Sequence, residues 1–166
     1  MHFKKLATSL AIIGATLSVE AGALESQPAM NLDTAKKIAD GCQVEASKHG
    51  WKMSVSVVDE GANPIYFQRA DGAYIGSGEI ATLKALNSAK MQMPTSMLDE
   101  FAFGKDKKGG PAPGLAHIPG FITIAGGLPI KAGNKFLGAV GVSGGMPHED
   151  EACAQAGLNA LKLQLK

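Results

Sequence analysis

Lys52-Met53-Ser54-Val55-Ser56-Val57-Val58-Asp59-Glu60-Gly61-Ala62-Asn63-Pro64-Ile65-Tyr66-Phe67-Gln68-Arg69 decides the fold class. Met53, Val55 and Val57 fall on one side, and Ser54, Ser56 and Val58 on the other. This is the period-two pattern of a strand with unlike faces. Glu60 to Pro64 supplies turn residues, and Ile65 to Arg69 reads as the returning strand. A hairpin commits the sheet to antiparallel pairing at this point, because parallel neighbours need a crossover of about a dozen residues or more.

Upstream, Asn31 or Asp33 starts a helix that runs to about His49, where Gly50 closes it. Downstream, Gly78 to about Met91 is helical, with Ala81, Ala85 and Ala89 allowing close packing. Pro94 stops that helix, and Thr95-Ser96 can cap a short one from Met97 to Phe103. Gly104 to Gly120 is a long Gly- and Pro-rich connection, a length that often carries function. Phe121 to Ala125 reads as a strand, broken by Gly126-Gly127. Leu128–Lys131 and Lys135–Val142 form two more around Ala132-Gly133-Asn134. A last helix follows Pro147, with Glu149, Asp150 and Glu151 set against the positive end of its dipole. This order implies an α+β domain, an antiparallel sheet with helices packed on it.

At the N-terminus, Lys4 and Lys5 precede an uncharged apolar stretch from Leu6 to Val19, and Ala21-Gly22-Ala23 offers a small-x-small cleavage pattern. The expectation is a secretory signal, residues 1–23, cut after Ala23. The run is too short for a membrane anchor, which needs about 20 apolar residues. The mature protein is therefore expected in the periplasm or outside the cell, with no membrane span. Removing 23 of the 166 residues leaves 143, a size that suits one domain, residues 24–166. Two lysines and one glutamate leave with the signal, so 16 basic and 15 acidic residues become 14 of each. Such balance carries no footprint for nucleic acid.

Cys42 lies on the helical stripe Ala35, Ile38, Ala39, Cys42, Ala46, and Cys153 on the stripe Cys153, Ala156, Ala160, Leu161. Both stripes face inward. An oxidising compartment makes a bridge plausible, and two unpaired core cysteines explain the pattern equally well.

Five stretches then point to one family: Val55-Ser56-Val57-Val58-Asp59-Glu60-Gly61 with Arg69-Ala70-Asp71-Gly72-Ala73, Ile80-Ala81-Thr82-Leu83-Lys84-Ala85, Gly126-Gly127-Leu128-Pro129-Ile130, Gly138-Ala139-Val140-Gly141-Val142-Ser143-Gly144-Gly145, and Asp150-Glu151-Ala152-Cys153-Ala154. In order, and over nearly the whole mature chain, they resemble the GlcG/HbpS-like family of small haem-binding proteins. That family is related to the C-terminal domain of PduO-type cobalamin adenosyltransferases. The resemblance implies a profilin-like fold, a five-stranded antiparallel sheet with helices on both faces. It also implies homo-oligomers and, in several members, binding or slow degradation of haem.

Haem iron takes an axial donor from His, Met, Tyr or a thiolate. His117, in the long loop among Leu115, Ile118, Pro119 and Phe121, is the candidate iron ligand; a loop histidine without that role is the plainer reading. His49 at a helix end reads as a surface residue, and His148, beside Glu149 at the start of the last helix, reads equally as a histidine made more basic by that carboxylate or as a simple helix-start residue. Thr95, Gly127 and Pro129 are candidate haem contacts, with capping and turn geometry as the alternative. Met91, Met93 and Met97 have a spacing that could hold Cu(I), but core filling explains them better. Lys84 and Asp71 form the most enzyme-like pair, an acid/base couple acting on a small organic acid or aromatic metabolite, or else a structural ion pair. Cys-x-x-Cys-His, His-Glu-x-x-His and Gly-x-Ser-x-Gly do not occur, which argues against covalent haem, a zincin site and a nucleophile elbow.

Overall fold

The computed structural model describes residues 29–162. The expected export signal, residues 1–23, lies outside them. Nine elements follow in chain order: α1 (Leu32–His49), β1 (Ser54–Asp59), β2 (Pro64–Arg69), α2 (Ser77–Met91), α3 (Thr95–Phe103), a 3-10 helix (Pro113–His117), β3 (Gly127–Ala132), β4 (Lys135–Ser143) and α4 (Pro147–Lys162). Asn31 caps α1 by accepting from Thr34 N at 2.8 Å, and Gly50 ends it in the left-handed region at φ 73°.

The strands form one antiparallel sheet in the order β2-β1-β4-β3. In β1, Ser54 pairs with Arg69 of β2 and with Ser143 of β4. The alternation in the sequence becomes a two-faced sheet. Val55, Val57, Val140, Val142, Leu128 and Ile130 pack with Ile38, Ala39, Cys42 and Ala46 of α1 and Cys153 and Ala154 of α4. Each Val, Leu or Ile among these contributes about 1.5–3 kcal/mol when fully buried. The opposite face is built from small residues, and α2 lies on it with Ala85 and Ala89 against Val58 and Ala139. A Cβ on Gly141 would collide with Ala81 O and Ala85 N, so only glycine lets α2 approach this closely.

The Cys42–Cys153 disulfide resolves the open question of the cysteines, joining α1 to α4 across 111 residues of sequence. Gly41 lies beside it, where an added Cβ would stand 2.8 Å from Ala160 Cβ. The two helices touch nearly backbone to backbone.

Two expectations are corrected. Among the described residues the sheet has four strands, and Phe121–Ala125 pairs with none of them. Side chains hold the chain there instead: Asn87 Nδ2 donates to Gly120 O, just before the segment, at 3.0 Å and Thr95 Oγ1 to Ile124 O within it at 2.7 Å. The break expected at Gly126-Gly127 is where a strand begins. The profilin-like description implied by the resemblance thus reduces here to a four-stranded α+β sheet with helices on both faces. No helix among the described residues is long and apolar enough to cross a membrane.

Candidate functional site

Among the described residues, one ion pair has both side chains buried. Lys84 sits on the α2 stripe Ala81, Lys84, Ala85, Ser88, Ala89, so its position in the helix turns it toward the sheet. Its ammonium donates to Asp150 Oδ2 at 2.7 Å and to Val142 O at 2.9 Å. Asp150 Oδ1 accepts from Gly145 N at 2.9 Å. Burial pushes Lys84 below the ordinary lysine value, opposed by the carboxylate of Asp150. Burial likewise pushes Asp150 above the ordinary carboxylate range, opposed by Lys84.

Glycines close the collar around this pair. A Cβ on Gly126 would lie 2.8 Å from Asp150 Cβ and 2.9 Å from Lys84 Nζ, and one on Gly127 would lie 2.6 Å from Lys84 O. Thr95 is fully buried alongside, and its hydroxyl also accepts from Gly127 N at 2.9 Å. With both amine and carboxylate sealed from solvent, the cluster ties α2, β3, β4 and α4 together and offers no access to a substrate.

The open site lies on the other side of α2. Alternation along β2 projects Phe67 and Arg69 the same way. Glu79, Thr82 and Leu83 follow at helical spacing on the first turns of α2. With Ile75 and Gly78 these line an open groove of about 520 Å³, inside the range of small-molecule sites. Gly78 lets Phe67 come up to the helix, since a Cβ there would stand 3.1 Å from Phe67 Cζ. The turn into α2 is held by hydroxyls: Ser77 Oγ donates to Tyr74 O at 2.7 Å and lies 2.8 Å from Ser54 Oγ. Arg69 Nη2 donates to Ala73 O, fixing the guanidinium across the same turn.

None of the candidate ligand, contact or catalytic residues named from the sequence lines this groove. The carboxylate partner of Lys84 is Asp150, which corrects the proposed couple with Asp71; Asp71 is exposed on the turn after β2. Thr95 and Gly127 belong to the buried collar. Pro129 is half-buried in β3, opposite Ala139. His117 is exposed at the end of the 3-10 helix. Three residues later Gly120 O is held by Asn87, one helical turn beyond Leu83, so the loop carrying His117 is anchored to α2 past the end of the groove. His49 stacks on Trp51 at 4.4 Å and pairs with Glu45 at 3.2 Å. His148 is exposed near the start of α4, and Met97 is exposed on α3.

The groove was missed because its members are spread over β2, the turn and α2, and each looks ordinary alone. One signal was available: Phe67 and Arg69 sit at alternate positions of the returning strand. For Asp150 the signal was its spacing of three from Cys153, an inward-facing position.

Comparison with known proteins agrees with this architecture. An uncharacterized 15.0 kDa protein in the dhaT-dhaS intergenic region of Citrobacter freundii is 30% identical over 132 residues, covering 78% of this chain and 90% of that one. The crystal structure of a double mutant of HbpS from Streptomyces reticuli matches with a TM-score of 0.72 at 32% identity, covering 95% of this chain and 99% of that one. A PduOC–haem complex has the same fold, with a TM-score of 0.71 at 21% identity, covering 80% of this chain and 95% of that one. Residues 30–159 match the family described as haem degrading protein HbpS-like, and the chain belongs to that family.

Proposed function

We propose that this chain is an exported binding protein that holds haem non-covalently in the groove between β2 and α2. The observation that carries the reading is the groove itself: apolar walls from Phe67, Ile75 and Leu83, with a charged guanidinium at the rim. These residues fit a flat apolar macrocycle with acidic side chains. They include no His, Met, Tyr or Cys, so an iron donor has to come from a neighbouring segment. His117 is assigned that role, because its loop is anchored to α2 at Asn87, one turn beyond Leu83, while His49 is engaged with Glu45 and Trp51. When bound, haem supplies a redox-active iron. The part played by the chain is to bury the macrocycle and orient it.

Membership in the HbpS-like family and the haem bound by PduOC, a protein of the same fold, support the ligand. The apolar N-terminal segment supports export, and with it scavenging, buffering or sensing outside the cytoplasm. Haemin titration should give a saturable Soret band, shifted or weakened in His117→Ala. Purified protein that shows no saturable spectral change ends this reading.

A further inference from the structure

We infer that Arg69 is the carboxylate-binding element of the groove, which selects planar apolar ligands that carry a carboxylate at one edge. This rests on the haem reading and adds which side of the ligand enters and why. Arg69 lies two residues after Phe67 on β2, so its guanidinium stands beside an aromatic wall. One Nη2 bond to Ala73 O holds it in place. A guanidinium carries five N–H donors, and Arg69 makes no ion pair among the described residues. Glu79 lines the same groove without pairing with it.

A cation held by its own backbone, without an acidic partner, is preorganised for an incoming carboxylate. The planar fork allows two parallel hydrogen bonds to that group, which lysine cannot match. The carboxylate of Glu79 repels a second acid, so a dicarboxylic ligand is oriented with one acid on Arg69 and its apolar body against Phe67 and Leu83. The same arrangement disfavours ligands that are anionic all round.

Metal-free protoporphyrin IX tests the acid contact without any contribution from an iron donor, and its dimethyl ester removes the charge at constant shape. Fluorescence titration should show that Arg69→Gln weakens binding of the diacid about ten- to a hundredfold. The ester should bind wild type and variant alike, and Arg69→Lys should recover part of the loss. Added salt should weaken the diacid more than the ester. An unchanged thermal midpoint in Arg69→Lys shows that the groove is intact. Ester bound as tightly as the diacid, or Arg69→Gln without effect, overturns the inference. If haemin still saturates in that case, the haem reading survives alone. If neither haemin nor porphyrin binds wild type, both fall.

Discussion

Lys84 occupies a position where its helix would ordinarily present an apolar side chain. Its charge is tolerated because Asp150 and Val142 O replace the hydrogen bonds to water that it loses. Removing one partner leaves the other buried and uncompensated. Lys84→Met should therefore cost about 3–5 kcal/mol in urea unfolding, and Lys84→Met/Asp150→Asn should recover most of it. A double variant as unstable as the single one would show that the pair itself is not the cause. The Ala81-x-x-Lys84-Ala85 stripe already marks the lysine as inward-facing in the sequence. Its partner was harder to read: Asp150 stands in an acidic triplet at a helix start, where dipole compensation explains it without any fold. The pairing spans 66 residues, and local pattern does not reach that far.

At the scale of elements, the β1–β2 hairpin is closed by Asp59. Its carboxylate accepts from Gly61 N at 2.9 Å and Asn63 N at 2.8 Å, which supports a turn containing Ala62 at φ 63°. The Asn63 N–H bond is the main reason that Asp59 is held below the ordinary aspartate value. A carboxylate lowered on folding contributes stability that is present above its unfolded value and lost as pH falls through its folded one. Asp59→Ala should cost about 1 kcal/mol at neutral pH, and the difference from wild type should shrink in acid. Urea midpoints measured from neutral pH to below about pH 4 check the sign, since a gap that widens in acid contradicts it. The hairpin, α1, α2, α4 and the two C-terminal strands were all legible from periodicity and turn residues. The segment 121–125 was not. Its apolar composition reads as a strand, but the side chains of Asn87 and Thr95 hold Gly120 O just before it and Ile124 O within it, and no local rule encodes those contacts.

The whole molecule is a sheet with one apolar face under α1 and α4 and one small-residue face under α2. The Cys42–Cys153 bridge staples the first layer. Both cysteines are fully buried, so the bond should resist reductant until the protein unfolds. Cys42→Ala/Cys153→Ala should cost at most about 4–5 kcal/mol by the chain-entropy argument. Reduction under denaturing conditions should add the mass of two hydrogens, and no mass gain would remove the bridge. From sequence alone the inward stripes placed both sulfurs in the core, yet could not say that they meet. Ile38 lies against Gly157 and Cys42 against Cys153, so α1 and α4 run antiparallel and the two ends of the domain emerge together. This has a mechanical consequence. Tension applied between the termini passes through one covalent bond, and the sheet carries none of it. A machine pulling on either end can unzip the outer turns of α1 and α4, but about 370–400 Å of contour length, the 111-residue span between the cysteines, stays locked until a thiol opens it.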